Sequence, residues 1–108
     1  MDPDASARAL RDALITYTGA DVAVVIADSD GRADRRGATV ISIGAASVAP
    51  LRVTEHGGKK QEEFTDLIAA AAGIILGQRG RGAPVAVLRG IAYTTSDERV
   101  SAILHHRP

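Results

Sequence analysis

The residues best suited to chemistry follow an apolar run in the first third of the chain. Residues 24–37 read VVIADSDGRADRRG, in which β-branched residues give way to three aspartates, three arginines and two glycines. Carboxylate and hydroxyl oxygens, as in Asp28 and Ser29, are ligands that magnesium and manganese prefer, and nearby arginines could hold phosphate. The letters DSDG are equally typical of a plain turn, because Asp, Ser and Gly favour local hydrogen bonds and positive φ. Spacing alone favours the turn and leaves a metal site open.

A glycine-rich segment later in the chain is the second candidate. Residues 77–82 read GQRGRG, and the backbone amides of such a loop can bind an anion beside two arginines. A phosphate-binding loop normally precedes a helix, whose positive end then helps, whereas this loop follows a predicted helix. It matches neither a Walker loop nor a dinucleotide fingerprint. The residues alone therefore favour a helix end followed by a solvated connection.

Composition excludes several other classes of function. Thirteen basic and thirteen acidic residues give a net charge of zero, and only 3% of residues are aromatic. We therefore expect no nucleic-acid partner, because both the electrostatic field and the stacking surface are missing. The chain contains no cysteine, which excludes disulfides and thiolate metal sites. An acidic N-terminus and the lack of a long apolar run argue against a signal peptide and a membrane span, so a cytoplasmic protein is expected.

The elements that must position the candidate residues are predicted from periodicity. A helix is predicted from Asp2 to Gly19, because acidic residues open it, apolar residues recur at helical spacing and a glycine closes it. Strands are predicted at 22–27 and 38–43, and the segment VAVLRGI predicts a third strand at 85–91. Residues 44–60 are less distinctive, although LRVTE could form a short strand.

Two more helices complete the expected fold. Residues 64–75 carry one apolar stripe, with acidic residues near the start and Gly77 after the end. Thr95 and Glu98 fit a capping box that would open a short helix with Val100, Ile103 and Leu104 facing inward. Together these patterns predict an α+β fold, in which helices cover a small mixed sheet within a single domain of residues 1–108.

Several segments, taken in chain order, resemble the coenzyme F420-0:γ-glutamyl ligase family. They are DPDASARALRDAL, TGADVAVVIADSDGR, SIGAASVAPL, VTE, LIAAAAGIILGQ and GAPVAVLRGIA. The resemblance spans nearly the whole chain but corresponds to the second half of the family domain only. It implies a ligase-family-like half of an enzyme that uses GTP and a divalent metal to add L-glutamate to a deazaflavin coenzyme precursor.

The resemblance also implies which residues would take part. In the family, an Asp and a hydroxyl residue close the strand before a Gly-Arg turn and bind magnesium or manganese, and these positions correspond to Asp28 and Ser29. The loop after the alanine-rich helix contributes to the GTP site, which corresponds here to Leu76, Gly77, Gln78, Arg79, Gly80 and Gly82. The other metal ligand and nucleotide-contacting segments of the family lie in its first half. No catalytic residue is assigned.

Two functions of different class remain open. The chain would act as a shortened ligase if a partner chain or the missing N-terminal half completed it, and we expect no activity from the isolated chain, because half a site cannot preorganise the reaction. Alternatively, it is a non-catalytic dimerising module that retains the fold. The family's members pair as intertwined dimers, so the resemblance also implies a homodimer.

Overall fold

The fold is built from short elements that pack on a central hairpin. The computed structural model describes residues 2–31, 38–53, 61–76 and 85–103. In chain order the elements are helix α1 (Pro3–Thr18), strands β1 (Val24–Gly31), β2 (Ala38–Ala46), β3 (Leu51–Val53) and β4 (Gln61–Glu63), helix α2 (Phe64–Leu76) and a 3₁₀ helix (Val100–Ile103). The expected α+β class is confirmed. Within these ranges, no helix is both long and apolar enough to cross a membrane.

Helix α1 begins and ends where the sequence predicts. The Asp2 carboxylate accepts a hydrogen bond from the Ala5 N–H at 3.1 Å, and Pro3 opens the helix. Gly19 ends it with a φ of 71° and donates its N–H to the Ile15 carbonyl at 2.8 Å. A positive φ is easily reached by glycine because it has no Cβ, so both helix boundaries follow from local chemistry.

Strands β1 and β2 form an antiparallel pair that is covered on both faces. Their register runs from Val24 opposite Ala46 to Gly31 opposite Ala38, with an irregularity between Ile26 and Ala27. On one face, Ala7 of α1 packs with Val24, Ala46 and Ile26. On the other face, a cluster joins β1 and β2 to α2 and the 3₁₀ helix through Val25, Ala45, Phe64, Ile68 and Val100. The helices therefore cover opposite faces of β1 at Val24 and Val25, whereas Ala27 and Asp28 further along the strand are exposed.

The N-terminus of α1 lies directly on the backbone of β2. A Cβ built on Gly44 would lie 2.4 Å from both the carbonyl carbon and the oxygen of Pro3. Since no side chain fits at such a distance, only glycine allows α1 to approach the strand this closely.

The buried carboxylate of Asp4 joins this helix end to two distant parts of the chain. Its Oδ1 accepts the N–H groups of Ala45 at 3.0 Å and Val100 at 2.9 Å, and its Oδ2 accepts the Ser101 N–H at 3.2 Å. Burial raises the pKa of Asp4, but the hydrogen bonds from Val100, Ala45 and Ser101 outweigh this effect, so its pKa lies below the ordinary value. The carboxylate thus takes the place of a local cap for the 3₁₀ helix.

The start of α2 is set by the small β3–β4 pair. These strands pair antiparallel, with Leu51 opposite Glu63. The Pro50 carbonyl then accepts the N–H groups of Phe64 at 2.7 Å and Thr65 at 3.3 Å, which satisfies two donors that a helix start leaves without helical partners. Strand β4 was not predicted, because its residues QEE have low strand propensity.

Two predictions for the C-terminal part are wrong. Residues 85–91 form no strand, and Val85 and Val87 are largely exposed, because no strand in the described ranges pairs with them. The short helix begins at Val100, and the Glu98 N–H donates to the Ser96 hydroxyl at 2.9 Å, so the predicted capping box is not formed. Val100 is buried as expected, whereas Leu104 lies outside the described residues.

Candidate functional site

Asp28 lies on β1 rather than in a turn. Residues 28–31, the letters DSDG, all belong to this strand, and Asp28 is paired with Ile41 of β2. The interpretation of DSDG as a plain turn is therefore wrong, and residues 32–37 lie outside the described ranges. Asp28 lies two residues beyond Ile26, past the register irregularity and beyond the part of β1 that packs on α1. Asp28 is exposed.

Ser29 is the next residue of β1, and its backbone is paired with Val40 of β2. The two residues expected to bind metal are thus consecutive positions of one strand. Both are held by the same neighbouring strand, so their backbone positions are set by the β1–β2 register.

The predicted GTP-binding residues begin at the end of α2. Leu76 is the last residue of this helix, and the other predicted positions, Gly77, Gln78, Arg79, Gly80 and Gly82, lie outside the described residues. Helix α2 packs on the β1–β2 sheet through Phe64 and Ile68. The helix end and the Asp28 strand therefore belong to one packed unit.

A polar cluster fastens the first turn of α2 to β2. Asp66 Oδ1 accepts hydrogen bonds from the Ser42 backbone N–H at 2.7 Å and the Ser42 hydroxyl at 2.6 Å. The Ser42 hydroxyl also lies 2.9 Å from that of Thr65, which is fully buried. Burial raises the pKa of Asp66, but hydrogen bonds from the Glu63 side chain and from Ser42 outweigh burial and lower the pKa.

This cluster was missed at the level of sequence. In the sequence, Asp66 is one of the acidic residues near a helix start, and Ser42 lies within a predicted strand. A polar residue within the apolar stretch of β2 was the available signal, because buried hydroxyl groups need hydrogen-bond partners. Within the described ranges, all buried side-chain polar atoms have such a partner.

The second contact between α2 and β2 lies near the other end of the helix. A Cβ built on Gly73 would lie 2.9 Å from Val40 Cγ2 and 3.6 Å from Val40 Cβ. Val40 is the residue paired with Ser29, and Gly73 is three residues before Leu76. This close approach of α2 to β2 thus lies beside the backbone partner of Ser29 and within one turn of the described end of α2.

A cavity of about 230 Å³ lies elsewhere, between the start of α2 and residues 92–94. Its lining residues are Ala49, Leu51, Arg52, Phe64, Ala92, Tyr93 and Thr94. The Arg52 guanidinium lies 4.6 Å from the centre of the Phe64 ring, a cation–π contact. The Ala49 N–H donates to the Thr94 carbonyl at 2.8 Å, which holds the two walls together. Among the residues that the structure describes, Asp28, Ser29 and Leu76 do not line this cavity.

Most of the chain matches one known protein family. The family model described as F420-0:Gamma-glutamyl ligase matches residues 1–90. This chain belongs to the F420-0:γ-glutamyl ligase family. The match includes Asp28, Ser29 and the whole of residues 76–82, so the predicted metal and GTP positions lie within the part of the chain that the family shares.

Individual relatives agree with this assignment. The chain is 37% identical to the coenzyme F420:L-glutamate ligase of Methanopyrus kandleri, in an alignment that covers 83% of this chain and 39% of the relative. The protein of the same name from Methanosarcina acetivorans is 32% identical, and the alignment covers 99% of this chain and 45% of the relative. The protein of that name from Methanothermobacter thermautotrophicus is 34% identical, and the alignment covers 98% of this chain and 46% of the relative. This member of the F420-0:γ-glutamyl ligase family thus spans less than half the length of these relatives.

Proposed function

We propose that this chain supplies one part of a GTP- and divalent-metal-dependent ligase that adds L-glutamate to a deazaflavin coenzyme precursor. The observation that carries the proposal is the family match over residues 1–90, together with relatives named coenzyme F420:L-glutamate ligase. Because the chain spans less than half of those relatives, a second polypeptide, or residues equivalent to the remainder of the relatives, completes the site.

The residues at the end of β1 fit a hard divalent cation. Asp28 presents a carboxylate at an exposed strand position, and Ser29 is its neighbour. Carboxylate and hydroxyl oxygens are the donor types that magnesium and manganese select. When bound there, such a cation would offset the negative charge of the GTP phosphates. Pairing with Ile41 and Val40 sets the backbone positions of the two residues. Because side chains of successive strand residues project to opposite faces, the Asp28 carboxylate is the donor that β1 would present to a cation on its face.

The residues after α2 would contact the nucleotide in this proposal. Leu76 ends the helix, and the next residues, GQRGRG, offer backbone amides and two arginines suited to phosphate oxygens. Helix α2 is attached to β2 at Ser42 and Val40, so it directs its C-terminal end from a scaffold shared with Asp28. Such positioning is what a ligase requires, since small misplacements of reacting groups cost large factors in rate.

The proposal is tested by calorimetric titration of the purified chain with GTP in the presence of manganese. Three proteins are compared: the unsubstituted chain, Asp28→Ala and the control Asp97→Ala. Asp97 is an exposed carboxylate outside the family match, so its loss should leave binding unchanged. Saturable binding that only Asp28→Ala abolishes supports the metal–nucleotide site. Equal binding by all three proteins refutes the role of Asp28, and no binding by the folded unsubstituted chain refutes a metal–nucleotide site formed by this chain alone.

A second function, a non-catalytic dimerising module, is favoured by a different observation. Several apolar side chains are exposed, with Tyr17 88% and Ile74 87% accessible, and Val85 and Val87 are nearly as open. A contiguous patch of such groups is typical of a surface that another chain covers, so this function requires that they lie together on one face. Sedimentation velocity across a concentration series tests this function. A concentration-dependent dimer without manganese-dependent GTP binding favours the module, whereas a monomer that binds GTP favours the ligase part.

A further inference from the structure

Residues 85–89 have the pattern of a strand, although no strand in the described ranges pairs with them. The letters VAVLR are mostly apolar and begin with β-branched residues, which are enriched in strands. Exposure also alternates along the segment, since Val85 and Val87 are 74% and 73% exposed whereas Ala86 and Leu88 are half-buried. A period of two in exposure is that of a strand with one face against the protein.

The backbone of this segment is open to pairing. No backbone hydrogen bond joins residues 85–89 to another segment that the structure describes. A row of N–H and C=O groups without a strand partner is a template on which another strand can add. The exposed valines would then supply apolar cross-strand contacts on one face of the new pair.

Both sheets of the described structure are small as well. Within the described ranges, β1 pairs only with β2, and β3 only with β4. Sheets commonly have about four to six strands, and two strands alone are marginally stable. Open strand edges are expected where part of a larger sheet is carried by another polypeptide.

The length of the relatives indicates what occupies this edge. The family match extends to residue 90, so it includes the whole segment. More than half of each relative lies outside its alignment with this chain. A strand-like segment that the family shares, and that has no partner in the described part of the shared half, is expected to find its partner in the other half.

We propose that residues 85–89 are the docking edge for the part of the ligase that this chain lacks, and that they become a strand when that part supplies the neighbouring strand. The proposal rests on the proposed function, in which a second polypeptide or the remainder of the relatives completes the site. Its readout is strand pairing rather than nucleotide binding, so the two can fail separately.

The test uses the part of the Methanothermobacter thermautotrophicus relative that lies outside the alignment. This part carries the only affinity tag and is co-expressed with the present chain. Amide hydrogen exchange is then measured in the isolated chain and in the captured complex. Successive N–H groups of a strand point to opposite edges, so a partner on one edge protects every second amide of the docking edge. We expect at least alternate amides to exchange about 100-fold or more slowly in the complex.

Proline substitutions test the pairing itself, because proline has no N–H to donate. Val87→Pro and Leu88→Pro are compared, since one of two neighbouring positions must donate towards the partner. Asp97→Pro is the matched control at an exposed position outside the family match, and Val87→Ile keeps both the N–H and the β-branched shape. At least one of the first two variants should lower capture about tenfold or more, and both controls should be captured normally. Thermal unfolding of each isolated variant shows whether a loss of capture comes from unfolding.

The outcomes separate this proposal from the proposed function. Capture with protection of the docking edge supports it, even if no manganese-dependent binding of GTP is found. A soluble partner that does not capture the unsubstituted chain overturns it, and so does capture that leaves the docking edge unprotected, while GTP binding by the chain would still stand. Protection that rises with the concentration of the isolated chain assigns the edge to a second copy and also overturns it. If the relative's part is insoluble, exchange in the intact relative decides, because the segment aligned with residues 85–89 must show the same protection.

Discussion

Replacing Asp4 should destabilise the protein more than replacing any exposed carboxylate. The Asp4 side chain is 1% exposed and accepts hydrogen bonds from Ala45, Val100 and Ser101. Asp4→Ala leaves the first two N–H groups unpaired in residues that are 3% and 1% exposed. An orphaned buried donor costs about 1–3 kcal/mol, so the two together predict a loss of about 2–6 kcal/mol. A domain of ordinary stability has only about 5–15 kcal/mol in total.

Asp4→Asn separates the role of charge from that of the acceptor. The two shortest hydrogen bonds both end on Oδ1, and an amide oxygen in that place can still accept them. The variant loses the charge and turns an amide donor towards the Ser101 N–H, so the expected loss is smaller, about 1–2 kcal/mol. Asp2→Ala is the matched control, since it removes an exposed helix cap worth about 1 kcal/mol.

Urea denaturation followed by circular dichroism at neutral pH measures these free energies. The order of stability should be unsubstituted, then Asp2→Ala and Asp4→Asn, then Asp4→Ala, with similar denaturant slopes. In Asp4→Ala, amide hydrogen exchange should accelerate more at Val100 than at other core amides, because the 3₁₀ helix loses its cap. If Asp4→Ala were no less stable than Asp2→Ala, the carboxylate would not be the tie between these segments.

Three further predictions concern stability at acidic pH and the packing of two glycines. Because the folded-state pKa values of Asp4 and Asp66 are lowered, their contribution to stability is complete above the unfolded-state pKa of about 4 and is lost as pH falls through and below it. The urea midpoint, measured between neutral pH and pH 3, should therefore fall steeply below about pH 4. In Asp4→Asn the midpoint should fall less steeply with pH. An equal pH dependence of the midpoint in both proteins would contradict this prediction. Gly44→Ala should unfold the protein or cost about 3 kcal/mol or more, because its Cβ would meet the Pro3 backbone at 2.4 Å. Gly19→Ala, with φ of 71° and open space around it, should cost only about 1 kcal/mol in the same thermal or urea assay.

Local chemistry determined the elements that the sequence predicts well. Helix α1 was located at both ends because its cap, its proline and its closing glycine act within a few residues. The apolar stripe of α2 predicted that helix equally well. The family resemblance carried by segments such as TGADVAVVIADSDGR is confirmed by the match over residues 1–90. The metal role of Asp28 and Ser29 and the GTP role of residues 76–82 stay predictions.

Tertiary contacts decided what the sequence misassigned. The apolar letters of 85–91 predict a strand, but a strand requires a partner for its backbone, and none lies among the described residues. The letters DSDG resemble a turn, yet pairing with β2 extends β1 through Gly31. Asp4 resembles a simple helix-start residue, although its partners Ala45 and Val100 are 41 and 96 positions away. Sequence patterns report periodicity and capping within a few residues, whereas burial, long-range hydrogen bonds and the approach of Gly73 to Val40 exist only once distant segments pack together.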